Sequence, residues 1–227
     1  MKAPKATLAQ QCEGIGWSIT DLVAHKHDKR SWSINGGPVG LPEEVVGQTY
    51  ATGGARVSYC EGGSVLLLLK AAALETLARL NTFNDRDDAI VRFLEAQMTI
   101  LAGHTDEIVD TVRSITPDGV ARNVRELATN ARLRTFFPRV RADFMLDLYQ
   151  QMGNEMLAKI LEAFSAAPYD YRAGWPDLIV LGDDAIKFVE VKTNDRLLDT
   201  QVRFATGIGN PMGFDCGVVR LTAIKGA

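Results

Sequence analysis

The chain has 227 residues, of which 46% are hydrophobic and 23% charged, and this balance allows a substantial core in one domain with appendages. Its formal net charge of −3 excludes a protein that coats nucleic acid through bulk electrostatics, although a local basic patch is compatible with it. No apolar run has the length of a transmembrane helix, and the first residues lack the apolar segment of a signal peptide. We therefore expect a cytoplasmic protein that does not contact a membrane.

Cysteine and histidine are too few and too scattered to form a disulfide framework or a zinc site. The three cysteines are odd in number and irregularly spaced, which fits a reducing cytosol, and no Cys/His group has zinc-binding spacing. The cysteines are Cys12, Cys60 and Cys216. Any metal would be held by carboxylates, which suit Mg²⁺ or Mn²⁺.

The beginning of the chain has little hydrophobic periodicity. Glycine-containing turn signals and two prolines crowd residues 33–54. Such residues favour turns over regular elements. We therefore predict a loop-rich N-terminal segment at residues 1–55, with a short helical piece near residues 41–48.

Strong helical patterns fill residues 64–165. The stretch "SVLLLLKAAALETLARL" is apolar on nearly every face, which predicts a buried helix with Ser64 as its N-cap. An amphipathic helix follows and ends at Gly103, and the next begins at Thr105 with acids in its first turn, where the helix dipole favours them. Further helices are predicted over residues 119–129 and 140–164.

After Pro168 the density of β-branched and aromatic residues rises, and the runs "LIVL" and "IKFVEV" predict a β-hairpin. A helix containing "LDTQVRFATGI" and a strand at residues 216–224 complete the chain. This order predicts an α/β fold with a helical insert, in which residues 172–224 are the α/β core of a domain at residues 56–227.

The predicted hairpin brings two carboxylates together. A two-residue loop at residues 183–184 pairs Leu181 with Ile186. The same register, continued outward, places Asp177 directly opposite Glu190, with Cβ atoms about 5 Å apart. Facing carboxylates repel each other, and a divalent cation between them converts the repulsion into a binding site.

Alternation along the second strand places a lysine beside the acids. Glu190 and Lys192 share one face, while Val191 points into apolar packing on the other. An ammonium there can stabilise the charge that develops on a phosphate under attack. The alternative is an exposed edge hairpin with solvated charges, but the flanking runs are too apolar for a free face. The pattern therefore favours metal-assisted phosphodiester hydrolysis.

With these residues, "GWPDLIVL…KFVEVKTNDRLLDTQ" resembles the PD-(D/E)xK nuclease superfamily, and within it the VRR-Nuc (virus-type replication-repair nuclease) family. That family has G-x-P-D-L, a hairpin, E-V-K, then N-D-R-L and a Gln on the next helix. The matching residues are Gly174, Pro176, Asp177, Leu178, Glu190, Val191, Lys192, Asn194, Asp195, Arg196, Leu197 and Gln201. The resemblance is strong over residues 172–221. It is weaker over residues 58–171, where the chain is similar to the Fanconi-associated nuclease branch.

The resemblance implies a restriction-endonuclease-like core, in which a mixed sheet is flanked by helices, and a Mg²⁺- or Mn²⁺-dependent nuclease acting on branched or flapped DNA. Asp177, Glu190 and the Val191 carbonyl would hold the metal. Lys192 would activate the nucleophile, and Gln201 would orient the cluster.

The third acid of the family is assigned by a weaker similarity. "YCEGGSVLLLLK" is similar to the Glu-Gly step that opens a helix in the Fanconi-associated nuclease, and this carries the role to Glu61. Glu61 would act through a second metal or a water molecule. A Glu before two glycines is also an ordinary helix entry, and the competing assignments are Glu75, Glu43 and Glu44.

One departure from the family concerns the helix that carries the Gln. The family usually has Ser where this chain has Leu198, so the helix needs another N-cap, which we expect at Asp199.

Contacts with DNA are predicted in residues 121–141, where arginine is concentrated against one acid, Glu126. Clustered guanidinium groups bind phosphates well, although a solvated helix face is an equal alternative. The arginines are Arg122, Arg125, Arg132, Arg134, Arg139 and Arg141. Phe136 and Phe137 interrupt the run, and we expect core packing for them over stacking on an unpaired base.

Three functions are compatible with these patterns. The first is an intracellular nuclease, expected to be a monomer, that repairs branched DNA. The second uses the same chemistry as an antibacterial toxin delivered by type VI secretion and neutralised by an immunity protein, and lethality on expression would distinguish it. The third is a non-catalytic DNA-binding module, which predicts a lost catalytic residue, whereas Asp177, Glu190 and Lys192 are all present.

Overall fold

The computed structural model describes residues 6–59, 61–82, 85–183 and 185–224. The chain folds into two compact units. The core unit comprises Met1–Tyr59 and Pro176–Ala227, and the helical unit comprises Cys60–Trp175. Within the described ranges, no helix combines the length and the apolar character that crossing a bilayer requires.

The elements follow one another in this order: α1 (Leu8–Ile15), β1 (Ser18–Lys26), β2 (Trp32–Ser33), α2 (Pro42–Thr52), β3 (Arg56–Ser58), α3 (Gly63–Arg79), α4 (Arg86–Val91), α5 (Leu94–Ile100), a 3₁₀ turn (Ala102–His104), α6 (Thr105–Ser114), α7 (Pro117–Thr129), α8 (Ala131–Phe136), α9 (Ala142–Ala166), α10 (Pro168–Tyr171), β4 (Leu178–Leu181), β5 (Ile186–Lys192), α11 (Asp199–Phe204), a π-helical turn (Ala205–Gly209) and β6 (Asp215–Ala223).

The core unit is built on a mixed six-stranded sheet with the strand order β2-β1-β6-β5-β4-β3. Strands β1, β6 and β5 run parallel to their neighbours within this set, and the other pairs are antiparallel. One face packs against α2 through a cluster that includes Val46, Leu178 and Val219. This mixed sheet with flanking helices confirms the predicted α/β class with a restriction-endonuclease-like core.

The prediction that residues 1–55 are mostly loop differs from the structure. The capping box of Thr7 and Gln10 opens α1, and β1 pairs with β6 from Ser18↔Gly217 to Ala24↔Ala223. The sequence did not predict β1, because only Ala24 is buried in this strand. Its residues therefore lack the alternation of apolar and polar side chains that marks a half-buried strand. The helical piece near residues 41–48 is confirmed as part of α2.

The helical unit is centred on α3, which is buried on nearly all sides, as predicted. Its N-cap is Gly62, and the predicted N-cap, Ser64, is buried inside the helix. Gly62 has φ +81°, and a Cβ atom there would lie 2.3 Å from Cγ of the buried Trp175. This close approach explains the double glycine at the start of the helix.

The predicted helix ending at Gly103 is interrupted. Arg92 and Phe93 are extended, so α4 and α5 are separate helices. The break leaves carbonyl groups unsatisfied, and the Lys70 ammonium, on α3, donates hydrogen bonds to the Ile90 and Arg92 carbonyls. Lys70, about twenty residues earlier in the chain, therefore stabilises the break between α4 and α5, which the local sequence does not predict.

Replacing Lys70 by methionine is expected to change how stability depends on pH. Burial lowers the pKa of Lys70 to about 7, against the opposing charges of Glu95 and Asp88. Between pH 7 and 10.5 the unfolded chain then binds a proton that the folded chain does not, so the free energy of unfolding rises with pH, by up to about 1.4 kcal/mol per unit. Lys70→Met should remove this slope in urea unfolding at pH 7 to 10.

The matched control is Lys159→Met, at an exposed position on α9. It should retain the slope of the intact chain. Equal slopes in the two variants would contradict the argument, because they would mean that the buried ammonium titrates as it does in the unfolded chain.

Candidate active site

The β4–β5 hairpin has the register that the sequence predicts. Leu181 pairs with Ile186 and Ile179 with Phe188, which confirms the predicted pairing. The Gly182 N–H donates to the Ala185 carbonyl at 2.9 Å and closes the loop, whose residue 184 lies outside the described residues. The ladder ends at Leu178↔Val189, so the next position brings Asp177 and Glu190 together.

Strand β5 separates an apolar face from a charged one. Val189 belongs to the apolar cluster under α2, and Val191 packs against it. Glu190 and Lys192 lie on the other face, where they are only 1% and 8% exposed. Their neighbour on that face, Phe188, contacts the rings of Phe204, on α11, and Phe214, just before β6. The charged pair is therefore enclosed and not solvated, so the alternative of an exposed edge hairpin is wrong.

Four predicted site residues meet at this position. The Lys192 Nζ and Gln201 Nε2 atoms lie 2.8 and 2.6 Å from Glu190 Oε1. The Asp177 Oδ2 atom accepts a hydrogen bond from the Val191 N–H at 2.8 Å. One oxygen of Glu190 is thus held by two donors, and Asp177 is fixed by the backbone of the strand that carries Glu190.

The Gln201 side chain links the start of α11 to the acid pair. Its Oε1 atom accepts from the Leu198 N–H at 2.9 Å, which leaves its NH₂ group to face Glu190. Leu198 is the N-cap residue, so the expectation that Asp199 caps this helix is wrong. The Leu198 side chain cannot accept a hydrogen bond. Instead, the side chain of Gln201, which lies within the helix, accepts one from the backbone N–H at the helix start.

The surroundings of Glu190 disfavour its negative charge unless a cation lies beside it. Burial, followed by the charge of Asp177, raises the pKa of Glu190 to about 7, although Lys192 and Gln201 act in the opposite direction. Its Oε2 atom is buried and has no hydrogen-bond partner among the residues that the structure describes. An orphaned carboxylate oxygen beside a second carboxylate is suited to a divalent cation.

The donor set fits a hard cation with few protein ligands. Mg²⁺ commonly binds through one or two carboxylates and keeps waters or substrate phosphates as its other ligands. The described ranges contain no group of three or more His, Cys, Asp or Glu side chains placed to hold a metal. The set that fits is therefore Asp177 and Glu190, supplemented by backbone and non-protein oxygens.

The third acid stays a prediction. Glu61 is exposed, belongs to the helical unit and has a left-handed backbone with φ +44° just before α3. Two of its competitors have structural partners: Glu75 pairs with Arg86 at 2.8 Å, and Glu44 accepts from the Leu41 N–H at 3.0 Å.

The six arginines predicted to bind DNA lie in and after α7 and α8, and they differ in their surroundings. Arg122 lies 3.4 Å from Glu75, and Arg141 forms an ion pair with Asp143. Arg139 also has an interaction partner. The other three are exposed and form no ion pair or hydrogen bond through their side chains with any described residue: Arg125, Arg132 and Arg134. Their role in DNA binding stays a prediction.

A cavity of ≈ 470 Å³, which the sequence did not predict, is lined by Thr193, the residue that follows Lys192. It lies where the parallel strands β1, β5 and β6 end, which is where open α/β sheets bind ligands. Lys26, Arg196 and Arg220 line it, together with Trp32, whose buried indole N–H lacks a partner in the described part of the chain. Two of these side chains lie at β1 and β2, which the sequence patterns did not reveal.

The mixed sheet with its flanking helices has the restriction-endonuclease-like fold that the sequence predicts. No family model and no curated protein matches the chain. Solved structures that share its fold include crystal structures of paFAN1 bound to 5′-flap DNA with a gap, with flaps of 2 and 1 nucleotides. Their TM-scores are 0.66 and 0.63 at 18% and 17% identity, and they cover 100% and 99% of this chain.

This likeness confirms, at the level of the fold, the predicted resemblance to the Fanconi-associated-nuclease branch of VRR-Nuc. It includes the N-terminal segment, for which the sequence indicated no relative. The chain spans 40% of the length of either paFAN1 chain.

Proposed function

We propose that this chain is a divalent-metal-dependent nuclease that hydrolyses phosphodiester bonds in branched or flapped DNA. The observation that carries the proposal is the enclosed cluster of Asp177, Glu190 and Lys192, in which a buried carboxylate oxygen has no described protein partner. A structural ion pair has no need of a second acid beside it, because that acid only raises the cost of burying the first.

Asp177 and Glu190, with the Val191 carbonyl, would hold Mg²⁺ or Mn²⁺. The bound ion would polarise the phosphate and lower the pKa of a water molecule. Gln201 holds the Oε1 atom of Glu190 and so directs its Oε2 atom away from the helix. This arrangement keeps one carboxylate oxygen available to a ligand.

Lys192 acts on the reacting groups from a fixed position. It is nearly buried, its ammonium is anchored 2.8 Å from Glu190, and Thr193, the next residue, lines the cavity at the strand ends. An anchored ammonium loses little freedom during the reaction, so it can donate to the attacking water or to a phosphate oxygen without reorganisation. Of the basic side chains that line the cavity, Arg220 pairs with Asp21 at 2.6 Å, and Lys26 and Arg196 would contact phosphates of the bound DNA.

Flapped DNA is the proposed substrate because the two paFAN1 chains with this fold were solved with 5′-flap DNA. Binding through the three exposed arginines without described partners is compatible with a net charge of −3, since phosphate contacts need only a local positive charge and not a basic protein. In the cytoplasm such an enzyme would act in the repair of branched DNA.

The test is the cleavage of labelled flap, junction and linear duplex DNA in Mg²⁺, in Mn²⁺ and in EDTA. We expect the intact chain to cut flapped or branched DNA in either metal and not in EDTA. Asp177→Asn should abolish cutting, because it removes a metal-binding charge without changing the volume. Asp183→Asn, at an exposed position in the same hairpin, should cut like the intact chain. Equal cutting by the Asp177→Asn variant would refute the proposed site.

A further inference from the structure

Three phenylalanines of the helical unit form a partly exposed aromatic cluster. The Phe93 ring lies 5.1 Å from the Phe136 ring and 6.3 Å from the Phe137 ring, both in edge-to-face geometry. Phe136 is 51% exposed and Phe93 is 39% exposed. The expectation that Phe136 packs in the core is therefore wrong, and the fold holds two aromatic rings together at the surface.

The two exposed rings of the cluster lie on two helices, α5 and α8. Phe93 is the N-cap of α5, at the break that Lys70 stabilises, and Phe136 is the last residue of α8. The side chain of Asn130 accepts hydrogen bonds from two backbone N–H groups at the start of α8 and fixes that helix. Because Lys70 binds the Arg92 carbonyl next to Phe93 and Asn130 caps the helix that carries Phe136, the exposed surface is preorganised.

The charge around the cluster is positive. Arg132 is four residues before Phe136 and lies on the same face of α8, and Arg134 is on the same helix. Neither arginine side chain has an ion-pair partner among the described residues. We call Phe93, Phe136, Phe137, Arg132 and Arg134 the Phe–Arg patch.

The nearest acids in sequence are already compensated. Glu95, two residues after Phe93, is largely buried and lies 3.8 Å from Arg172. Glu126, at the end of α7, is held by Arg86 at 2.7 Å. A ligand at the patch therefore meets aromatic faces and unneutralised guanidinium groups together. That combination suits an anionic polymer with flat, apolar side groups better than it suits an acidic peptide.

We infer that the Phe–Arg patch binds unpaired bases of single-stranded DNA, with a base stacked on Phe136 or Phe93 and the adjacent phosphates at Arg132 and Arg134. The inference deepens the proposed function and rests on it. Aromatic side chains can stack only on bases that are not enclosed in a duplex, whereas arginines bind phosphates in any DNA. The patch therefore gives the chain a means to prefer a flapped or gapped substrate over a continuous duplex.

The experiment measures binding of the intact chain in EDTA, so that nothing is cut, to a fluorescent oligothymidine and to a duplex of equal length. Phe136→Ala should weaken binding to the single strand about tenfold and leave duplex binding within about twofold. Phe136→Trp should retain the affinity, and the new indole fluorescence should be quenched on binding. Arg132→Ala should weaken binding to both DNAs and lower the salt dependence on the single strand by about 0.7 in log–log slope.

The matched control is Ile100→Ala, which removes an exposed apolar side chain from α5. It should bind both DNAs like the intact chain. Unchanged single-strand binding by Phe136→Ala would overturn the inference, as would an equal loss on duplex and single strand. Self-association abolished by Phe136→Ala, with unchanged DNA binding, would assign the patch to a protein contact and overturn it too.

The two proposals fail in different ways. If the intact chain cuts no DNA in Mg²⁺ or Mn²⁺ and Phe136→Ala still loses single-strand affinity, the nuclease proposal fails and the patch stands. If the intact chain cuts flapped DNA, and Phe136→Ala has the same ratio of flap to duplex cleavage, the patch fails and the nuclease proposal stands.

Discussion

Lys192→Met is expected to lower the rate of flap cleavage by about 10²–10³-fold under single-turnover conditions with saturating enzyme. The variant keeps the length and apolar stem of the side chain and removes only the ammonium, which is anchored beside Glu190. Removing one preorganised donor that stabilises developing charge typically has an effect of this size. Affinity for the substrate should change much less, because one buried ammonium is a small part of the phosphate contacts.

The matched control lies on the same strand. Lys187 is partly exposed and pairs with Asp215 at 3.4 Å, at the opposite end of β5 from Lys192. Lys187→Met should therefore cut flapped DNA at the rate of the intact chain. Equal cleavage rates for the two variants would show that Lys192 takes no part in the reaction, even if cleavage were found to depend on a metal.

The hairpin was predictable because its register is over-determined by local features. The apolar runs on both sides and the short loop between them allow few pairings, and a slip by one residue would turn the buried faces outward. Once Leu181 pairs with Ile186, the meeting of Asp177 and Glu190 follows. The central part of the candidate site could thus be derived from one local piece of sequence.

The elements that were missed depend on partners distant in sequence. Strand β1 is mostly exposed and becomes a strand by pairing with β6, about 200 residues later. The break between α4 and α5 depends on Lys70, and the exposure of Phe136 depends on how α8 packs. Local sequence patterns do not indicate contacts between residues that are distant in the chain. Where such tertiary contacts form, they override the local preferences.

Gln201 illustrates a third case, in which the residue was predicted and its second contact was not. The family resemblance implied only that it orients the cluster. The structure adds that its Oε1 atom accepts from the Leu198 N–H while its Nε2 atom donates to Glu190. The missing Ser at the helix start therefore does not loosen the site, because the glutamine joins the helix terminus and the acid.

Lys192→Met is also expected to destabilise the metal-free chain, by about 3 kcal/mol in the free energy of unfolding in EDTA at pH 8. Glu190 is 1% exposed, and removing one partner of a buried pair leaves the other charge uncompensated. Glu190→Gln in the same chain should recover most of this loss, since the amide has the same shape and no charge. The two single variants and the double variant form a thermodynamic cycle that isolates the coupling.

The loss of stability in the Lys192→Met variant should depend on pH, because Glu190 titrates differently in the folded and the unfolded chain. The pKa of Glu190 is already raised to about 7 by burial and by Asp177, and it loses a lowering influence when Lys192 is removed. The folded Lys192→Met chain then holds a proton that the unfolded chain, with an ordinary Glu, has released from about pH 4.5 upward. Its free energy of unfolding must fall as the pH rises across that window. The loss should therefore be small near pH 5 and largest at pH 8, as urea unfolding at both values would measure. A loss independent of pH, or one that Glu190→Gln does not relieve, would mean that the lysine contributes through packing alone.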